Sequence, residues 1–175
     1  PGLCWSRRAE GASAGRQSVA RVALLEGAFE EVGAAVPDAR GVDPQEEWDL
    51  PDAFVETLLS DDPHEVIDGL TGAVTEGASA QELAGAVADA AARRVAQFGT
   101  ANEFRDWNTV HHTYTYANAV EGLLARTDAW EGYRAVFDGA VSVYLDRFLN
   151  MPPTPLPEPE DTDRSPEDIL EDLQE

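Results

Sequence analysis

The sequence predicts an all-α protein, a multi-helix bundle followed by an acidic, proline-rich C-terminal tail that is expected to be disordered or extended. Three observations carry that prediction. Apolar residues recur at intervals of three and four through most of the chain, helix start and stop signals punctuate them, and the alternating pattern of a half-buried strand hardly occurs. A chain of 175 residues with 43% apolar content is long enough to bury one core without disulfides or a structural metal.

Taken in order, residues 16–36 set Val22, Leu25, Phe29 and Val32 at helical spacing and stop before Pro37. A linker over 38–51 carries Gly41, Pro44 and Pro51, and a short helix is expected over 52–59. Asp62-Pro63 supplies an N-cap acceptor followed by proline at the first helical position, opening a helix to about residue 76 that Gly77 can cap. Ser79-Ala80-Gln81-Glu82 matches the capping box, and the alanine-rich helix it opens, 80–98, reads as the central packing helix through Leu83, Val87, Ala91, Val95 and Phe98. A polar, aromatic junction over 99–107 leads to a helix over 108–126 with Val110, Tyr114, Ala117, Val120 and Leu124. The last long helix, 130–150, has a wide apolar stripe through Tyr133, Val136, Phe137, Ala140, Val141, Tyr144, Leu145 and Phe148, with Glu131, Asp138, Ser142 and Asp146 on its other side.

The domain organisation that follows is an N-terminal helix and linker over 1–51, a helical core over 52–151 and the acidic tail over 152–175. Within the tail, Ser165 to Asp168 offers a start for a short helix bearing Ile169, Leu170 and Leu173, a candidate docking peptide. The start on Pro1 rather than Met leaves an upstream domain open.

Charge narrows the function. Thirty-four acidic residues face 12 basic ones, all of them Arg, for a formal net charge of −22. Such a chain has nothing from which to build the basic patch that binds phosphate backbones or anionic headgroups, so nucleic-acid and membrane-surface roles are excluded as expectations. The same acidic, Lys-free composition fits a halophilic source, because molar salt screens carboxylate repulsion to about 3 Å; a GC-rich genome would bias the composition the same way. Cys4 is the one cysteine, which rules out an intrachain disulfide, a redox pair or an all-thiolate metal cage and suits a reducing cytoplasm. No apolar run approaches the roughly 20 residues of a membrane span.

Chemistry is expected where polar residues crowd into an apolar helix, and the segment Thr100 to Asn118 does so, holding His111 and His112. His111, Thr115 and Asn118 share one stripe and His112, Tyr116, Ala119 and Leu123 a second. Two readings stand. In one, a pocket between helices uses His111 or His112 as general base or metal ligand, with Glu103 or Asp106 as carboxylate. In the other, which the usual burial of histidine favours, one imidazole is solvated, the other satisfied in the core, and Asn118 ties helix to helix. Adjacent histidines point about 100° apart on a helix and match no zinc-protease spacing. His64 reads as an exposed first-turn residue, Asp89 and Arg93 as an ion pair, and Trp107 and Trp130 as packing at the ends of the bundle. No phosphate-cradling glycine loop or serine-nucleophile elbow is present.

The stretch from Ala92 to Ala119, with Trp107-Asn108-Thr109-Val110-His111-His112-Thr113 its most specific part, and the run Phe137 to Asn150 resemble the helical region of prokaryotic proteins that carry a Rieske iron–sulfur domain. A more distant similarity is to questin-oxidase-like proteins, in which His-Thr followed by aromatics and Ala-Asn-Ala recurs on a helix. The resemblance implies an oxidoreductase-associated helical domain with a Rieske domain as partner, and it makes His111, His112, Asn102 and Glu103 the candidate catalytic residues. A Rieske cluster needs two Cys and two His, so with Cys4 alone a 2Fe-2S cluster would have to come from an upstream or partner domain. The run from Glu76 to Ala84 is also similar to alkylhydroperoxidase-like helical proteins, whose active cysteine pair this chain lacks. The alternative is a non-catalytic interaction module. An enzyme requires a concave pocket holding one of the histidines beside a carboxylate, whereas a module leaves them without convergence.

Overall fold

A computed structural model of the chain describes residues 25–27, 50–51, 53–127, 129–150 and 153–156. It is an all-α bundle. Besides a helical piece at residues 25–27, the described residues form five helices, α1 (Phe54–Leu58), α2 (Pro63–Thr75), α3 (Ala80–Ala96), α4 (Phe104–Leu124) and α5 (Glu131–Asp146), and no strand. Residues 25–27 are helical and Leu25 is buried in the common core; the rest of the expected N-terminal helix, most of the linker and the proposed docking peptide near Ile169 lie outside the described residues.

Local signals position the boundaries. The Asp62 carboxylate accepts from the His64 backbone N–H at 2.9 Å and Pro63 takes the first helical position. At the far end of α2, Gly77 adopts φ 104°, a conformation nearly closed to residues with a Cβ, while its N–H reaches the Val74 carbonyl and that of Ala78 reaches Ala73. This is the paired bonding that closes a helix end around a left-handed residue. The capping box of α3 forms in both directions, Glu82 N to Ser79 Oγ at 3.2 Å and Ser79 N to Glu82 Oε2 at 2.7 Å.

Two boundaries differ from expectation by four residues. α4 begins at Phe104 rather than Asn108: no Gly or Pro interrupts 100–118, and Glu103 takes the extended N-cap conformation while its carbonyl accepts from Asp106 and Trp107 N–H. α5 stops at Asp146 rather than residue 150, and the chain then tightens into i→i+3 turns through Asn150.

α3 is the central helix, packed against α4, α5 and α1, and it is buried over about half its circumference through Leu83, Ala84, Val87, Ala88, Ala90 and Ala91, with Gln81, Asp89 and Ala96 left outside. Small side chains bring α5 close: a Cβ at Gly139 would lie 3.2 Å from Val87 Cγ1. One at Gly132 would overlap Leu124 Cδ2. Two tyrosines tie helices together through backbone carbonyls, Tyr133 Oη to Ala78 O at 2.9 Å and Tyr116 Oη to Ala135 O at 3.1 Å. The expected Asp89–Arg93 pair is present at 3.0 Å, and Arg93 also reaches Glu56 at 2.7 Å. No described helix is long and apolar enough to cross a membrane.

Ser79→Ala removes the acceptor that opens α3 and is expected to cost about 1 kcal/mol in urea unfolding followed by circular dichroism. Gly132→Ala drives a methyl into Leu124 and is expected to cost about 1 to 3 kcal/mol on the same measurement.

Candidate functional site

α4 carries both candidate histidines on its solvent side. Val110, Thr113, Ala117, Val120 and Leu124 face the core, and His111 and His112 are exposed. The His111 ring lies 5.8 Å from the Trp107 ring, which in turn packs edge-on against buried Phe98 at 5.3 Å; Trp130, expected like Trp107 to pack an end of the bundle, is instead exposed. Glu103 is exposed at the N-cap and caps with no side-chain bond; two helical turns, about 12 Å, separate it from His111. These three side chains do not converge. Among the described residues, no group of three or more His, Cys, Asp or Glu side chains is placed to hold a metal ion.

Asn102, the fourth candidate, does meet a partner. Its Nδ2 donates to Asn150 Oδ1 at 2.8 Å, and Gly99 N donates to the same oxygen at 3.1 Å. Asn150 Nδ2 donates to the Gln97 carbonyl at 2.7 Å, which also accepts from Thr154 N at 2.8 Å. Buried Asn150 therefore clasps the end of α3 and the 97–102 turn to the end of α5, and Asn102 belongs to that clasp.

One turn before Asn150, on the same side of α5, lies the most perturbed titratable group described. Asp146 was expected among the solvated residues opposite the apolar stripe of its helix; instead it is 3% exposed, beside Thr113 of α4 and Arg94 of α3. Burial pushes its carboxyl up to about 6, against the opposing effects of a Thr113 hydrogen bond and the Arg94 charge. Burial also lowers the Arg94 guanidinium, offset in part by Asp146, with Arg147 and Asp61 as its further charged neighbours. Both groups are incompletely satisfied. Asp146 Oδ2 and Arg94 Nε have no hydrogen-bond partner, and Arg94 Nη2 makes a 3.4 Å bond to the Leu59 carbonyl. The signal that would have found these residues is continuity: the buried stripe Val136, Ala140, Val143 passes on to Asp146 and Asn150, and Val87, Ala91 passes on to Arg94.

The described concavity lies at the other end of the bundle. It measures about 400 Å³, is lined by Ser79, Gln81, Leu124, Arg126, Thr127 and Tyr133 among others, and contains none of the candidate residues. Its Ser79 is spent on the capping box and its Tyr133 hydroxyl on Ala78.

The outer face of α4 stands apart in its chemistry. From 107 to 120 the chain has no charged residue, its longest such run. Four of the eight large apolar side chains described as exposed, Phe104, Tyr114, Tyr116 and Leu123, are on this helix, Phe104 the most open at 86%.

Because the folded-state pKa of Asp146 is raised, the stability it contributes is fully present below the ordinary carboxylate range and is lost as pH rises through about 6. The wild type is expected to gain on the order of 2 to 3 kcal/mol between pH 7.5 and pH 4 from this group, and Asp146→Asn to remove that part of the pH dependence in urea titrations. A variant with an unchanged pH profile would show the carboxylate to be compensated by Arg94. Asn150→Ala strands the Gly99 N–H and the Asn102 amide and is expected to cost about 3 kcal/mol.

No protein-family profile, curated protein or solved structure matches this chain, so its functional reading rests on the geometry of the α4 face and of the buried polar layer beneath it.

Proposed function

We propose that this chain is a non-catalytic, helical protein-interaction module that docks a partner protein along the exposed face of α4. The observation that carries the proposal is the uncharged surface at 107–120, flanked by the part-exposed rings of Tyr114 and Tyr116, on a chain of net charge −22. Burying charged surface against a partner costs desolvation, and the centres of protein interfaces are depleted of charge and enriched in Tyr, Trp and Phe. α4 offers that composition where the rest of the chain is dense in carboxylates.

The oxidoreductase-associated reading, with a Rieske domain as partner, draws on the sequence resemblance. It calls for an imidazole beside a carboxylate in a concave pocket, and the solvated positions of His111, His112 and Glu103 lend it no geometric support. A protein partner is common to both readings.

A photo-crosslinking amino acid introduced at position 115 is expected to give protein adducts in cells that make the chain, and one at exposed position 68 of α2 to give none above background. Equal labelling at the two positions would sink the docking reading. His111→Ala/His112→Ala is expected to keep the fold within about 0.5 kcal/mol, as exposed substitutions do, and to leave the metal content of the purified chain unchanged. Loss of a bound metal from a folded double variant would return the catalytic reading.

A further inference from the structure

We infer that the polar end of the bundle is a proton-tightened clasp: with the Asp146 carboxyl protonated, the end of α5 stays seated on α3 and α4, and with it ionised, the segment from Asp146 through Asn150 opens locally while the rest of the bundle remains folded. The clasp works whether or not a partner docks on α4.

Asp146 is the last residue of α5, and it is 3% exposed. α3 brings Arg94 to it and α4 brings the Thr113 hydroxyl, while the residues that α1 and α2 bury in the core are all uncharged. Arg147, on the same turn of chain, is turned to Asp61, its Nη1 lying 2.7 Å from Asp61 Oδ1 and 2.6 Å from the Asp61 carbonyl. Arg94 is therefore the one cation beside the carboxyl, and its guanidinium spends Nη2 on the Leu59 carbonyl while Nε stays as unbonded as Asp146 Oδ2. A carboxylate held in this way has lost its water without gaining a full set of partners, a cost the neutral acid escapes.

The segment that follows is built to come away. Beyond Asp146 the α-helix gives way to i→i+3 bonds, Leu149 N to Asp146 O at 3.0 Å and Asn150 N to Arg147 O at 3.3 Å, which hold less well than helical ones. No residue from 147 to 149 is buried, Phe148 is 42% exposed, and the Arg147–Asp61 bridge sits at the surface on a carboxylate 92% exposed. Asn150 alone fastens the segment inside, through its bonds to Gly99, Asn102 and Gln97. Lifting 146–150 thus hydrates the carboxyl and uncovers little apolar surface, the condition for an opening that costs less than unfolding. Because burial raises the carboxyl to about 6, the hold is firmest below the ordinary carboxylate range and is lost as pH rises through about 6.

The test is amide hydrogen exchange of the full chain, followed by NMR between about pH 4 and pH 7, with each rate divided by that of an unstructured peptide at the same pH. Protection of the Gly99 and Asn150 amides is expected to fall more than about tenfold over that range. It is expected to stay below that of the Val87 amide in the middle of α3, and to change little in about 0.5 M urea, which promotes only openings that expose a large area. In Asp146→Asn a neutral amide stands in for the protonated acid, and protection at both positions is expected to be level across the range. Wild-type protection indifferent to pH overturns the inference, and so does a pH dependence that survives Asp146→Asn. Protection at Gly99 and Asn150 equal to that of Val87 at every pH overturns it as well, because the whole bundle would then be the opening unit.

Discussion

Everything else in the bundle depends on how closely α3 and α5 approach. The alanines of α3 and the glycines of α5 at positions 132 and 139 let the two helices meet with Val87 against the Gly139 backbone, and that contact leaves no room for a methyl group without displacement. Once this pair is fixed, α4 can lie across both with one narrow stripe, Val110 to Leu124, buried. A single stripe on a 21-residue helix leaves more than half its circumference outside. The exposed α4 face is thus a product of the packing beneath it, and its freedom from charge is a separate choice of the sequence.

The bundle has a polar end and an apolar remainder. At the polar end Arg94, Asp146 and Asn150 replace the valines and alanines that fill the same stripes elsewhere. The two kinds of polar group behave differently. Asn150 is neutral and has both its amide oxygen and its amide nitrogen bonded, so it fixes geometry at little cost. Asp146 and Arg94 are ionisable, desolvated and each short of a hydrogen bond, so the coulombic attraction between them recovers only part of what burial costs them.

Much of the fold was legible because its signals are local. The Asp62-Pro63 start, the Ser79/Glu82 box and the Gly77 stop each act within a few residues, and each forms as the sequence predicts. The α4 start was missed because Phe104 to Trp107 looks like a junction by composition, while an unbroken run without Gly or Pro lets the helix extend to it. Asp146 was misplaced because a helical wheel assumes one buried face, and α5 contacts α1, α2, α3 and α4. The candidate site was legible only as a location. Composition drew attention to 100–118, but whether a histidine on that helix points inward depends on which stripe α3 and α5 take, and they take the one containing Thr113.

The Gln97 carbonyl, which accepts from both Asn150 and Thr154, bears on the order of folding. During synthesis α3 and α4 are complete long before residue 150 leaves the ribosome, so the last carbonyls of α3 and the Gly99 N–H stay hydrated until the end of α5 arrives. Closure of this end is a contact of high sequence separation, and its loop-closing entropy is offset only when α5 is already seated. The bonds of the polar end, which join residues 51 and 53 positions apart, therefore form only once α5 is packed on α3.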